Sequence, residues 1–481
     1  MIVTFSYQLW QRKMRRQRFR CCIGVVLFMT GCRSPAPTIT PITVRGVTLI
    51  AMDGTAPMED ATVVVRGNRI EVVGPTGHVR VPRDATVIDG TGKYLVPGLI
   101  DLHVHLSKAR KSSLGLFVIN GVTTVRDMGG DHRELLEWRR QVRTGRSVGP
   151  RILMAGPYLE SASNVERMRG DPPEERVEPF ERLRIPIGSP ADAHRVVDSL
   201  AALELDFLKI RTVQDRDTYM AINGAANAHG LVLVGHAVAA PEEVVDAGQD
   251  GVEHFFYPTL DTLTRDQRMA IWGRLRDAGV VVVPTLVTLT RFELAPIEHL
   301  RAVMWDSLGT VEPRRRYVSR YLVRDWIEQL SEREERQRRG APELYRRVLD
   351  STLRNLREMI EADVHVLVGS DVAVFNVFPG SVHDELAVFV ESLGLAPVDA
   401  LQRATARSAA FLGIGDSVGM IREGYVADLL LLDASPLADI RNSSRIAAVI
   451  RNGYVFDRDG LEQVLQDVRN AEDLRIDRWG R

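Results

Sequence analysis

From Val96 onward the chain repeats short apolar runs separated by helix-length segments, and candidate metal ligands close five of those runs in order. His103 and His105 follow Leu99-Ile100-Asp101-Leu102, and Lys209 follows Phe207-Leu208. His236 follows Leu231-Val232-Leu233-Val234-Gly235, His254 follows Gly251-Val252-Glu253, and Asp371 follows Val366-Leu367-Val368-Gly369-Ser370. Residues two apart on a strand share a face, so His103 and His105 point the same way. In a parallel β/α barrel the strand ends meet at one mouth, where catalytic groups collect. One such residue alone says little; the ordered set of six points to a site.

Strands are expected near 97–104, 121–126, 151–155, 206–210, 231–235, 250–253, 280–284 and 365–370. Strands alternating with helices predict βαβ units, hence an α/β chain with a (β/α)8 TIM barrel over 96–414. Before it, 42–95 is rich in short β-branched runs such as Val44–Ile50, Ala61–Arg66 and Arg69–Val73, punctuated by Gly67-Asn68 and Gly74-Pro75-Thr76-Gly77. The same pattern returns over 415–460, in Ala427–Leu432, Ile446–Ile450 and Val455-Phe456. Chain ends of a domain often lie close together, so both segments are expected to form one small β-sandwich domain. The tail, 461–481, carries Leu461, Val464, Leu465 and Val468 at helical spacing and reads as a packed helix.

Two connections exceed the roughly 30 residues of an ordinary β/α unit. One runs from Tyr158 to Pro190 after strand three, the other over 286–361 after strand seven, with Arg314-Arg315-Arg316 and the charged run Glu332 to Arg339. Both leave from the catalytic end. They read either as lids over the mouth or as solvated helices.

Before residue 32 stand six basic residues (Arg12, Lys13, Arg15, Arg16, Arg18, Arg20) and no acidic one, then the apolar run Cys21 to Met29 and Thr30-Gly31-Cys32. Nine apolar residues are too few to span a bilayer but suit a signal peptide over 1–31. Thr30-Gly31-Cys32 resembles a bacterial lipobox, with Met29 where Leu is usual, which implies lipidation of Cys32. Arg33 is not the Asp that resembles an inner-membrane retention signal. Residues 32–41, including Ser34-Pro35-Ala36-Pro37-Thr38, then form a tether. The expected place is periplasmic or at the cell surface, held to the membrane through Cys32, in the outer membrane if the cell is Gram-negative. A plain secretory signal or an uncleaved anchor are the alternatives. All three cysteines lie at 21, 22 and 32, so the mature chain has no disulfide. The formal net charge of -1 gives no basic footprint for nucleic acid, and loss of the leader makes the mature chain mildly acidic.

Histidines and a carboxylate suit zinc and similar divalent ions. Lys209 needs its own chemistry, because an amine with a pKa near about 10.4 is a cation at neutral pH. Carbon dioxide converts such an amine to a carbamate, which can bridge two cations in the arrangement used for hydrolysis. Alone, a lysine at a strand end is an ordinary surface charge.

Pro97-Gly98-Leu99-Ile100-Asp101-Leu102-His103-Val104-His105, with Lys, His, His and Asp in that order, resembles the amidohydrolase superfamily. More narrowly it is similar to the dipeptidase (prolidase) and imidazolonepropionase-related branch. Gly121 to Asp127, Ala404-Thr405 with Ala409-Ala410, Gly419 to Leu429, Pro436-Leu437 and Asn452-Gly453 carry the likeness further. The resemblance implies a first metal on His103, His105, Lys209 and Asp371, and a second on Lys209, His236 and His254. It further implies a bridging hydroxide as nucleophile and Asp371 as general acid/base. Two divalent ions, zinc first among them, and carbon dioxide on Lys209 are the cofactors so implied. The expected reaction is hydrolysis of a C–N bond in a small amide or dipeptide. Alternatives are lactonase or phosphotriesterase-like chemistry, mononuclear deaminase or imidazolonepropionase-like chemistry, and a metal-binding surface protein without turnover. Oligomeric state stays open.

Asp101 is expected to orient backbone or a ligand rather than touch metal. Arg126 and Arg211 stand at strand ends as candidates for a substrate carboxylate. Arg211 is preferred, since it shares a face with Lys209. His383 is a weaker substrate candidate beside a capping or surface role, and His365 opens strand eight at the wrong end. After the lysine, Arg211-Thr212-Val213-Gln214-Asp215 replaces the small, Gly-rich segment common in dipeptidase relatives, so peptide specificity does not carry over.

Overall fold

The computed structural model describes residues 40–169, 180–213, 215–255, 257–471 and 474. Cys32, the signal peptide and most of the tether lie outside them, as does the end of the expected tail. Among the described residues no helix is long and apolar enough to cross a membrane.

Five strands lead the chain: β1 (Ile42–Leu49), β2 (Met58–Arg66), β3 (Arg69–Pro75), β4 (Thr86–Asp89) and β5 (Tyr94–Pro97). The parallel strands follow: β6 (Leu99–Val104), β7 (Val122–Asp127), β8 (Arg151–Met154), β9 (Tyr158–Ser161), β10 (Arg184–Ile187), β11 (Leu208–Ile210), β12 (Leu233–His236), β13 (Gly251–Glu253), β14 (Val281–Val283) and β15 (His365–Val366). Then come β16 (Leu429–Leu432), β17 (Ile446–Arg451) and β18 (Tyr454–Phe456).

Both ends of the chain build one eight-stranded sheet in the order β18-β17-β16-β5-β1-β2-β3, with β4 beside β1. The join is the antiparallel pair β5–β16, Pro97 to Tyr94 against Leu429 to Leu432. Alternation then divides the side chains. Leu429 and Leu431 pack among the sheet's own apolar residues, whereas Leu430 and Leu432 enter the core shared with the parallel strands and helices. Gly121 makes this approach feasible. Its φ is 72°, and a Cβ there would lie 2.7 Å from Leu430 Cδ1.

The parallel strands form a TIM-barrel-like domain in two runs, β6-β7-β8 and β10-β9-β11-β12-β13-β14-β15. Backbone bonds link the runs on both sides: Asp206 N donates to Met154 O (3.0 Å) and Leu102 N to Val368 O (3.2 Å). Inward residues Ile100, Leu102, Phe207, Val232, Val234, Val281, Val283 and Leu367 make one cluster. Their neighbours Leu99, Leu208, Leu233, Val282, Val366 and Val368 face the helices. Such two-sided burial is why these strands read as continuous apolar runs.

Some expectations needed correction. Tyr158 opens strand β9 rather than a loop, because β9 pairs with both β10 and β11. Pro97 belongs to the end sheet through Leu429, so the first parallel strand starts at Leu99. The last described helix begins at Arg458, since Asp457 caps it by accepting Gly460 N at 3.0 Å.

The 286–361 stretch is helical, with Ile297–Met304, Arg320–Arg338 and Ala341–Glu361 as its main helices. It has its own core: Phe292, Leu300, Val303, Leu322 and Trp326 pack with Ala373, Phe375 and Phe378 from the segment after Asp371. It therefore sits as a cap against the chain that leaves the eighth strand.

Candidate metal centre

His103 is the innermost ligand candidate, fully buried on β6. Its Nδ1 lies 2.8 Å from Glu253 Oε2. A carboxylate only accepts, so Nδ1 carries the hydrogen and Nε2 turns its lone pair inward. Glu253 is held in turn by Arg126, whose Nη2 donates to Oε1 at 2.6 Å. Asp101 accepts from the His103 and Ser370 amides at 3.1 and 2.9 Å, joining β6 to the end of the eighth strand. Gly369 leaves room for the ring, since a Cβ there would come within 2.9 Å of His103 Cβ.

Two more histidines are supported the same way. His254 Nδ1 lies 2.7 Å from Thr285 Oγ1, and His105 Nδ1 lies 3.1 Å from the Tyr158 hydroxyl. In all three the Nε2 atom faces Asp371: 3.4 and 3.2 Å from Oδ1 for His103 and His105, and 3.7 Å from Oδ2 for His254. Asp371 Oδ1 is buried yet forms no hydrogen bond of sound geometry among the described residues. His236 completes the group, its ring 5.0 Å from that of His254. Lys209 Nζ reaches within 3.4 Å of His103 Nε2.

His254 and Asp371 have φ of 53° and 61°, a left-handed conformation that His and Asp tolerate better than most residues. The reversal breaks strand alternation. As a result Glu253 and His254, adjacent in sequence, both serve the centre.

Burial, with the Lys209 charge second, holds His103 and His236 well below the ordinary imidazole range. Burial lowers His105 and His254 too, and neutral imidazoles are the ligating form. Burial alone would raise Asp371, but His103, His254 and His105 hold it well below the usual carboxylate range. Burial pushes Lys209 down to about 8. His103, His254 and Asp371 offer ligand atoms all within 4.8 Å of one another. Neutral nitrogens converging on an anionic oxygen that lacks a hydrogen bond are a donor set that fits a divalent cation.

Residues 94–455 match the amidohydrolase family. The chain belongs to that family. It is a hydrolase acting on C–N bonds. This amidohydrolase is 22% identical to the ochratoxinase of Aspergillus niger, over 88% of each chain. Among solved structures it is similar to a putative prolidase from Bifidobacterium longum, with a TM-score of 0.66 and 25% identity over 90% of this chain and all of that one. It also resembles the fold of a bottromycin amidohydrolase, with a TM-score of 0.67 and 21% identity over 92% of each chain.

The amidohydrolase thus gathers His103, His105, Lys209, His236, His254 and Asp371 at one end of its parallel strands. Arg211 lies beside them: its guanidinium stands 5.4 Å over the Tyr158 ring, and its Nη1 donates to Glu160 at 2.6 Å. Arg126 does not face a substrate. It is buried between Phe207 and Phe411 and committed to Glu253 and Leu102 O. His383 also stands away from the centre, with its ring nitrogens on Ser443 Oγ (2.8 Å) and Asn120 O (2.9 Å). Glu253, Thr285 and Tyr158 were not anticipated. Glu253 had a signal, a charge inside an otherwise apolar parallel strand. Thr285 and Tyr158 had none.

Proposed function

We propose that this amidohydrolase is a binuclear metal hydrolase that cleaves the amide bond of a dipeptide or similar small amide. His103, His105 and Asp371 would hold one ion, His236 and His254 the other, and Lys209, as its carbamate, both. The observation that carries the reading is Lys209 itself. Its side chain is 1% exposed, and among the described residues no carboxylate lies within ion-pair distance of Nζ. A bare ammonium there would be a desolvated cation facing a histidine nitrogen, an arrangement that costs several kcal/mol by rough reckoning. A carbamate replaces that cation by an anion amid neutral imidazoles.

When bound, the ions supply an activated water and polarise the scissile carbonyl. The chain supplies the rest. Oδ1 of Asp371 lies on the His103 and His105 side, which leaves Oδ2 to take a proton from the attacking water and return it to the leaving nitrogen. Glu253, Thr285 and Tyr158 hold the His103, His254 and His105 rings through Nδ1, so that these three need not reorganise. Arg211, with 31% of its side chain exposed, is placed to receive a substrate carboxylate. A dipeptide is favoured because the similar structures include that prolidase and a Xaa-Pro dipeptidase, the latter alike in fold. In this reading the parallel strands close into a (β/α)8 barrel, and the eight-stranded sheet curls into a small sandwich.

Elemental analysis of residues 32–481, beside the Lys209→Ala variant, tests the centre. About two metals per chain, falling to one or none in the variant, is the expected result. One metal, unchanged by the substitution, would remove Lys209 from the site. A panel of dipeptides and N-acyl amino acids then tests the substrate class. Faster turnover of lactones or phosphotriesters than of any amide would overturn it.

A further inference from the structure

Asp371 stands at the head of a segment with unusual backbone conformations. Asp371, Ala373 and Asn376 have φ of 61°, 104° and 64°. Ala373 gains nothing from such a conformation, since it has a Cβ and no polar side chain to compensate locally. Strain of this kind persists only where the surroundings over-determine it. On one side the segment is tied to β6: Asp371 N donates to His103 O at 2.7 Å and His105 N to Val372 O at 3.1 Å.

On its other side, residues 286–361 bond the segment at Ala373, Phe375 and Asn376, each a strained residue or the neighbour of one. Trp326 Nε1 donates to Ala373 O at 3.0 Å. Phe375 N donates to Gln329 Oε1 at 2.9 Å. Arg291 Nε donates to Asn376 O at 3.0 Å, and Asn376 Nδ2 returns a bond to Arg291 O at 2.8 Å. Trp326 is fully buried, and its ring packs 5.0 Å from Phe375 and 5.5 Å from Phe378. Trp326 and Gln329 lie one turn apart on the helix Arg320–Arg338, so one helix face carries both bonds. That helix is anchored near the opposite ligand as well, through Lys108 Nζ to Asp325 Oδ2 at 3.6 Å.

We propose that Trp326 and Gln329 are positioning residues for Asp371, and that the helix Arg320–Arg338, which carries both, is a built part of the catalytic centre rather than a detachable cover. The inference rests on the acid/base role proposed above for Asp371. The indole N–H fixes the Ala373 carbonyl, the glutamine oxygen fixes the Phe375 amide, and between them they hold the turn that aims the carboxylate at the histidines. Without these bonds the segment relaxes toward ordinary φ values and the carboxylate moves away from the His103, His105 and His254 nitrogens.

The test compares Trp326→Phe and Gln329→Met with Leu300→Ala. The first two remove one hydrogen bond each and keep most of the volume. Leu300, also fully buried in the cap core, touches none of these bonds, so its variant reports lost cap stability alone. All are assayed metal-loaded on the most active dipeptide of the panel, well below their melting temperatures. Trp326→Phe and Gln329→Met should lower kcat by about 10- to 100-fold with KM within about twofold. The visible spectrum of their cobalt-loaded forms should shift, because Asp371 changes position, while Leu300→Ala keeps both the wild-type kcat and spectrum. Unchanged kcat and spectrum in the first two variants would overturn the proposal. So would an equal loss in Leu300→Ala at matched melting temperature. Asp371→Asn is measured in parallel. If it retains wild-type kcat, the acid/base reading fails, and the positioning proposal is then decided by the cobalt spectra.

Discussion

The histidine rings of this centre are aimed by groups that never need to meet a substrate, and Glu253 has the largest share of that work. It joins the His103 imidazole to the Arg126 guanidinium in a buried line. Glu253→Gln would keep the size of the side chain but remove the charge that fixes the His103 tautomer. The expected result is about a 10- to 100-fold loss of metal affinity, read by competitive metal titration. Arg126 would be left as a buried cation without its partner, so the melting temperature should fall too. Unaltered affinity would mean that His103 is oriented by packing alone. Metal-ligand candidates were legible in the sequence because hydrolysis needs particular residue types at strand ends. Glu253 carried a signal, a charge inside an apolar strand, but its role did not show, because its partner His103 stands 150 residues away.

At the level of elements, strands of the parallel layer were legible from their apolar runs, while the seat of the cap was not. The cap begins at Leu286, and its entry is fixed by Glu385 on the helix Val382–Glu391, which accepts Leu286 N at 2.9 Å and Val287 N at 2.6 Å. Immediately before it, Thr285 adopts φ 48° and meets His254. A β-branched residue in that conformation is uncommon, and sequence periodicity has no means of announcing it. Burial raises the Glu385 carboxyl from 4.5 to about 8. The folded chain therefore binds a proton that the unfolded chain has released. Stability from this group is present in full below pH 4.5 and is lost as pH rises through about 8. Between those limits the slope is on the order of 1.4 kcal/mol per pH unit. Glu385→Gln does not titrate, so wild type should gain stability relative to it on going from pH 8 to pH 5, measured by denaturant unfolding. A difference independent of pH would show that Glu385 is already ionised in the folded protein.

Across the whole molecule, the end sheet and the parallel layer share both core and charge. Alternation along β16 sends Leu430 and Leu432 into the common core, and Asp428 ties the two layers by ion pairs. One of its oxygens meets Arg151 at the start of β8 (3.1 Å), the other Arg451 at the end of β17 (3.2 Å). Recurrence of β pattern at both ends of the sequence was enough to foresee that they would pair. It did not reveal how deeply the resulting sheet is built into the rest, because that depends on which face of each strand is covered. Units that share a core unfold together, so calorimetry of residues 32–481 should give a single transition. Asp428→Ala should lower its midpoint without splitting it. The expected cost is about 3 kcal/mol, the low end for a broken buried pair, because Arg151 is a third exposed and water offsets part of its loss. Two separate transitions in the unaltered chain would show instead that sheet and barrel-like domain are stable independently, and that the candidate metal centre owes nothing to the end sheet.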